Sequence, residues 1–214
     1  MEIVYNKTEA EERVFVQKLV DTAWPDLHPV VGQVLGRGGQ ATVYKLTFAD
    51  GHSEALKVID TSVYRDPARR KDANRRGRSE IRYQKQLSDK TDTVCKLYDS
   101  VSSCERGQDA PMCFLLRMEL LTPLDPKNLA ALDPANREKA VLQIMRDVLE
   151  GLCQTEDAGI VHRDVKCGNI LLRHDPATGQ SRFVLSDFGL ARPFHTRTDR
   201  SFFTCLLYTS PSPR

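Results

Sequence analysis

Charge of one sign is what this chain has least of: 31 basic side chains stand against 29 acidic ones, a formal net charge of +2. So small an imbalance gives no global attraction to nucleic acid or to a membrane surface, so any charge that matters is local. No run approaches the ~18 apolar residues of a membrane span. The opening MEIVYNKTEAEERV is acidic and lacks the apolar core of a secretion signal. An intracellular, soluble protein of the cytoplasm or nucleus is the expectation, with neither nucleic acid nor membrane as partner. Cys95, Cys104, Cys113, Cys153, Cys167 and Cys205 contain no CxxC pair and no zinc-like grouping with histidine. Idle reduced thiols fit that spacing, and an oxidised Cys104–Cys113 pair across a hairpin is the other reading. Internal repeats and low-complexity segments are also lacking. What is present is ordinary: 214 residues, 40% hydrophobic and 28% charged, enough for one domain or for one and part of another.

The local patterns divide the chain. Thr8-Glu9-Ala10-Glu11 has the form of a capping box and opens a helix through about Val20, which Trp24-Pro25 ends. From Val30 the pattern turns to short strands. Thr42–Phe48 alternates apolar and polar residues, Asp50-Gly51 supplies a tight turn, and Ala55–Ile59 returns. Residues 64–82 carry Arg65, Arg69, Arg70, Lys71, Arg75, Arg76, Arg78 and Arg82, leading into a helix that ends near Leu87. A solvated helix face, a dock for a phosphorylated or acidic partner, and a nucleic-acid patch are the three readings of that stretch. Strands are expected at Val94–Tyr98 and Cys113–Leu120. Asp133-Pro134 then caps an amphipathic helix on which Val141, Ile144, Met145, Val148, Leu149 and Leu152 recur at helical spacing. Two apolar strands, Asn169–Leu172 and Arg182–Leu185, flank the polar hairpin RHDPATGQS.

Three segments carry chemistry. In Leu35-Gly36-Arg37-Gly38-Gly39-Gln40-Ala41-Thr42-Val43, glycines at a bend let backbone N–H groups approach phosphate oxygens. Alone the pattern is weak, since most such bends are only turns; the lysine on the following strand, Lys57, gives it context. A lysine that grips phosphate needs a carboxylate to fix its position, and Glu80 is the candidate. The third segment is the specific one: Val161-His162-Arg163-Asp164-Val165-Lys166-Cys167-Gly168-Asn169, followed by Ser186-Asp187-Phe188-Gly189. Phosphoryl transfer needs a carboxylate at the attacking hydroxyl, cations for the transferred phosphate, and oxygen ligands for magnesium. Asp164, Lys166, and the pair Asn169 and Asp187 supply these in turn.

In this order the motifs resemble the eukaryotic-type protein kinase superfamily, serine/threonine class, over roughly residues 30–204. The resemblance implies an α+β bilobal fold with a complete N-lobe and an incomplete C-lobe. Residues 1–29 would be an N-terminal extension with a short helix, 30–121 the N-lobe, 122–204 part of the C-lobe, and 205–214 a non-native tail. It implies ATP and Mg2+ near the link at Leu120–Thr122. Gly36 and Gly38 would cover the phosphates, and Lys57 would bind them while paired to Glu80. Leu35, Val43, Ala55 and Leu171 would enclose adenine, with Met118 as gatekeeper and Glu119 and Leu121 offering backbone groups. Asp164 would accept the substrate proton beside Lys166, and Asn169 and Asp187 would hold the metal. Lys166 resembles the serine/threonine class, and Arg163 the members switched on by an upstream kinase that phosphorylates the segment after Asp187.

Several residues depart from the family pattern: Ala41 for the third glycine, Cys167 for a common proline, and Gln84 for an apolar residue. The absence of an APE motif and of later helices leads to the expectation that these 214 residues are an inactive fragment, with the stripe on the 134–152 helix uncovered. Two rivals remain: a catalytically silent pseudokinase that binds nucleotide, and a kinase for a small molecule. The intact Lys57, Asp164, Asn169 and Asp187 argue against the first, and the form of the catalytic segment against the second.

Overall fold

A computed structural model describes residues 8–39, 41–104 and 112–194. The chain gathers into two units, Met1–Ile81 with Lys96–Leu121, and Arg82–Cys95 with Thr122–Arg214. In the first, helix α1 (Glu9–Ala23) begins at the capping box read from the sequence: the Thr8 N–H donates to Glu11 Oε2 at 2.8 Å, and the Glu11 N–H to Thr8 Oγ1 at 3.3 Å. It runs three residues past Val20 and stops at Trp24. Strands β1 (Val30–Arg37), β2 (Thr42–Thr47), β3 (Ser53–Asp60), β4 (Leu97–Cys104) and β5 (Met112–Met118) form one antiparallel sheet in the order β1-β2-β3-β5-β4. The β2–β3 turn uses Gly51 at φ 87°, a left-handed conformation that glycine adopts without strain.

Strand register gives this sheet two faces. Val43 stands opposite Lys57, Lys57 opposite Leu116, and Ala55 opposite Met118, so these five share one face. The other presents Tyr44, Leu46, Leu56, Val58 and Leu115, buried in a cluster with Val16, Val20 and Trp24 of the α1 region. Arg117 also lies on the α1 side. It makes a bidentate pair with Glu54 (2.8 Å for both bonds) and stacks over Trp24 and Phe48, a buried anchor that the sequence reading missed.

Helix α2 (Pro67–Ser88) takes in almost the whole basic stretch. Asp66 starts it by accepting the Arg69 N–H at 2.8 Å, with proline at the first helical position. Asp72 pairs with Arg75 and Arg76, and Arg70 Nε donates to the Tyr64 carbonyl, so part of the positive charge is used locally.

The expected strand at Val94–Tyr98 is corrected. Val94 makes only a parallel bridge to Leu185 in the second unit, and the strand proper begins at Leu97. The backbone of Thr93–Cys95 is held by Leu185 through bonds of 2.8 and 2.9 Å, and the chain crosses between units directly after it. Of the two readings of Cys104 and Cys113, the reduced one holds at Cys113. Cys113 stands opposite Ser103, and its thiol is free. Burial pushes that thiol up to about 12, which leaves it unreactive.

The second unit contains β6 (Thr122–Pro123), α3 (Pro126–Ala130), α4 (Pro134–Asp157), β7 (Ile160–Val161), β8 (Ile170–His174), β9 (Ser181–Leu185) and β10 (Arg192–Pro193). Strands β6, β8 and β9 form one sheet, and β7 pairs with β10. Asp133 caps α4 by accepting the Asn136 N–H at 3.1 Å. The apolar stripe divides. Ile144, Val148 and Leu152 pack on the core around Leu185 and Phe188, while Val141, Met145 and Leu149 stay exposed beside Leu142. Asp147 is buried on the same helix and accepts the Phe183 N–H at 3.0 Å, tying α4 to β9.

Gly77 marks where α2 meets the sheet. A methyl group there would lie 2.6 Å from the ring of Phe114, which is fully buried. Alanine normally gains ~1 kcal/mol over glycine in a helix. Here Gly77→Ala is expected to lower stability instead, by about 1–3 kcal/mol of overpacking. Denaturant midpoints check this, with Phe114→Leu added to Gly77→Ala recovering part of the loss.

Candidate active site

The glycine-rich bend connects β1 to β2. Arg37 pairs with Thr42 across it, and the Gly38 N–H closes it on the Ala41 carbonyl at 2.8 Å. Side chains at Gly36 or Gly39 would meet no atom within 4 Å among the described residues, and neither glycine has positive φ. The chain's own packing therefore does not require glycine there. What the absence of a Cβ permits is a close approach of the bend to a ligand.

Lys57 projects from β3, and its Nζ lies 2.5 Å from Glu80 Oε1 on α2. The side chains are only 12% and 4% exposed, so each charge depends on its partner. On the same face, Val43 and Ala55 are half-buried and Met118 is buried. Leu35 is exposed on β1. Glu119 follows Met118, and its N–H donates to the Lys96 carbonyl at 3.0 Å. Of the backbone groups expected to meet adenine, the Glu119 N–H is thus engaged within the chain, and its carbonyl is the group such a ligand would use. Leu121 is half-buried at the end of the first unit.

In the second unit the loop after β7 is built around His162. Its ring is buried, which pushes its pKa down and keeps it neutral. Nδ1 accepts the Asp164 N–H at 3.3 Å, so Nε2 carries the proton and donates to the Ser186 carbonyl at 3.0 Å. The ring also leans on Phe188, with centroids 4.7 Å apart. One imidazole thus joins the segment before Asp164 to the segment before Asp187. Sequence reading gave His162 no role; its place directly before Arg163-Asp164 was the available signal.

Asp164 Oδ2 accepts from Lys166 Nζ at 2.7 Å and from Asn169 Nδ2 at 2.9 Å. Asn169 Nδ2 also donates to the Asp164 carbonyl at 2.8 Å. The Asn169 carbonyl in turn accepts the Ser186 N–H at 2.9 Å, which sets Asn169 next to the residue preceding Asp187. Arg163 and Asp187 have φ of 68° and 65°, left-handed conformations that cost a non-glycine residue about 1–3 kcal/mol. Such strain persists only where surrounding bonds over-determine it. Leu171 is half-buried on β8, paired with Pro123 and Val184.

Gln84 departs from the apolar residue expected there, yet it is fully buried. Its Nε2 donates to the carbonyl of Cys95, where the chain leaves the second unit, and its Oε1 has no hydrogen-bond partner among the described residues. Thr196, Thr198, Ser201 and Thr204, the hydroxyls that the segment after Asp187 offers to an upstream kinase, lie outside the described residues.

Comparison with known proteins gives this geometry its context. The family model for the protein kinase domain matches residues 30–212. The chain belongs to the protein kinase domain family. Its α+β fold, with a five-stranded antiparallel sheet and the Lys57–Glu80 pair in one unit and the Asp164 loop in the other, is protein-kinase-like. Mouse (Mus musculus) inhibitor of nuclear factor kappa-B kinase subunit epsilon is 32% identical over 162 residues, 74% of this chain and 21% of that protein. Serine/threonine-protein kinase PknL of Mycobacterium tuberculosis is 32% identical over 174 residues, 81% of this chain and 39% of that protein. The dual serine/threonine and tyrosine protein kinase of Bos taurus is 33% identical over 170 residues, 77% of this chain and 16% of that protein. The kinase domain chain thus covers well under two thirds of the length of each of these relatives. No helix among the described residues is long and apolar enough to cross a membrane.

Removing one partner of the Lys57–Glu80 pair strands the other in a largely dry site. Glu80→Ala is expected to lower stability by about 3 kcal/mol, the lower end for a buried pair, since Lys57 has further interactions. Lys57→Met with Glu80→Leu should cost clearly less than the sum of the two single changes. A double-mutant cycle of unfolding free energies checks this, and additive losses would show that the two side chains are not coupled.

Proposed function

We propose that this kinase domain transfers the γ-phosphoryl group of ATP to serine or threonine hydroxyls of proteins. The single observation that carries the reading is Asp164, whose carboxylate is held between Lys166 and Asn169 at 2.7 and 2.9 Å. A carboxylate fixed in this way can orient an attacking hydroxyl and accept its proton, while the ammonium beside it offsets charge on the transferred phosphate.

The remaining roles follow the same chemistry. Gly36 and Gly38 would cover the phosphates, the bend coming close because no Cβ intervenes. Lys57, steadied by Glu80, would bind the α- and β-phosphates. Leu35, Val43, Ala55 and Leu171 would enclose adenine, with Met118 beside it and Glu119 and Leu121 reading its edge. Among the described residues no three His, Cys, Asp or Glu side chains converge as a metal cage. That fits magnesium, which usually takes one or two protein carboxylates and completes its shell with phosphate and water. Asn169 and Asp187 would hold it. Magnesium would supply neutralisation of charge on the phosphates; the protein's part is to orient the hydroxyl and remove its proton.

Arg163 would receive a phosphate placed by an upstream kinase on the segment after Asp187, since a guanidinium binds phosphate in bidentate fashion. A silent nucleotide-binding scaffold is disfavoured because no member of the set Lys57, Asp164, Asn169 and Asp187 is replaced. The reading extends to a protein substrate, soluble surroundings and no nucleic-acid partner. Lys166 supports serine and threonine as acceptors, although one relative's name includes tyrosine.

The test is made on the protein that carries this domain. Asp164→Asn is expected to reduce turnover by about 10²–10⁴-fold, the range for a general base, while nucleotide binding stays near the parent level. Asp187→Asn should instead weaken the magnesium dependence of ATP binding. Parent-level turnover by Asp164→Asn would overturn the assignment of the base. Phosphoamino-acid analysis of the product should give phosphoserine and phosphothreonine, and a predominance of phosphotyrosine would overturn the acceptor class.

A further inference from the structure

Helix α1 lies outside the segment that matches the kinase family, which begins at residue 30. It is nonetheless built into the first unit. Val16, Val20 and Trp24 are buried among Val31, Tyr44, Leu46, Phe48, Leu56, Val58 and Leu115, on the sheet face opposite to Lys57. Gln17 fixes the entry into β1, its Oε1 accepting the Val31 N–H at 2.8 Å and its Nε2 donating to the Pro29 carbonyl at 2.9 Å. The helix therefore has a set position relative to β1.

From its first turns α1 reaches the glycine-rich bend. Glu12 takes the guanidinium of Arg37 in two bonds, Nη1 to Oε1 at 3.0 Å and Nη2 to Oε2 at 2.7 Å. Arg37 stands between Gly36 and Gly38, the residues proposed to cover phosphate, and is the last residue of β1 before the bend. The buried Tyr44 lies near the same carboxylate, and burial together with that negative charge pushes its phenol pKa up. With the guanidinium 48% and the carboxylate 30% exposed, the pair adds little to global stability. What a bidentate pair provides is geometry. Among the described residues of the bend, Arg37 is the one long side chain, and it is fastened to a rigid element.

We infer that α1 is a clamp on the phosphate-binding loop, with Glu12 as a positioning residue that holds the loop through Arg37 and so sets nucleotide affinity. The nucleotide part of this inference rests on the proposed ATP-dependent function; the loop-holding part does not. The clamp acts from the sheet face away from Lys57, so it leaves the surface proposed for the ligand clear. It also separates Arg37 from the phosphates: a guanidinium bound to Glu12 organises the loop and does not serve as a phosphate ligand.

Two measurements on the 214-residue chain test it. In the first, amide hydrogen exchange without nucleotide is compared for residues 36–43 in the parent and in Glu12→Gln. Faster exchange in that segment, with an unchanged melting midpoint, is expected; unchanged exchange there overturns the clamp. In the second, the Kd for Mg·ATP is measured for Glu12→Gln, Arg37→Gln, the double variant and the exchanged pair Glu12→Arg with Arg37→Glu. Each single change should raise Kd by about two- to five-fold, the factor that corresponds to an exposed ion pair. The double variant should be no weaker than either single one, and the exchanged pair should recover part of the loss. A lower Kd in Glu12→Gln would show Arg37 acting on phosphate once released, and would overturn the assignment, as would multiplied effects in the double variant. A parent chain that binds no Mg·ATP while exchange in the loop responds to Glu12→Gln would remove the proposed nucleotide reading and leave the clamp standing.

Discussion

An ammonium and a carboxylate 2.5 Å apart, both nearly removed from water, set the terms for the first unit. Neither Lys57 nor Glu80 is tolerable alone at such burial, so β3 must keep a register that points Lys57 toward α2, and α2 a rotation that points Glu80 back. One residue of slip in β3 would turn Lys57 to the α1 face, among Tyr44, Leu46 and Leu56, and bring apolar residues out on the other side. The close approach of Gly77 to Phe114 one helical turn earlier serves the same end, because it lets α2 lie near enough for the pair to form. Sheet register, helix placement and the orientation of Lys57 are thus one constraint seen at three levels.

The second unit solves a different problem: holding strained backbone still. Arg163 and Asp187 have left-handed conformations that neither residue favours. His162 counters this from between them. As a buried neutral imidazole it accepts the Asp164 N–H and donates to the Ser186 carbonyl, and Phe188 packs against its face. Asn169 adds a second tie through Asp164 and Ser186. Asp147, buried on α4, fastens β9 from outside by accepting the Phe183 N–H. The groups proposed to do chemistry are therefore oriented by His162, Phe188 and Asp147, to which no chemical step is assigned, and by one another.

Much of this was legible in the chain. The capping box at Thr8, the antiparallel meander, the Asp133 cap and the β8–β9 hairpin all rest on interactions among near neighbours, which sequence displays directly. So did the set Asp164, Lys166 and Asn169, since a short loop holds all three and they meet in space. Val94 was misread because β-branched and apolar residues look alike whether they belong to a sheet or make a single bridge. Its partner Leu185 is ninety-one residues away (185 − 94 = 91). Gln84 was read against an apolar expectation, and the reason for an amide there, the Cys95 carbonyl, lies across a turn that no local pattern announces.

Sequence alone determined the family, because motif order and short spacing survive without knowledge of the fold; the side chains proposed to carry the chemistry were named from the same motifs. It also determined where α1 and α4 begin, since a cap is a contact between residues three apart. Only tertiary structure decided which charges meet. Arg37 lies twenty-five residues from Glu12 and Arg117 sixty-three from Glu54; for Lys57 the motif context had named Glu80 as a candidate, and the fold supplied the contact. A sequence lists every carboxylate that could answer a given cation. The choice among them is made by strand register and helix rotation, which bring one pair within 3 Å and leave the others apart.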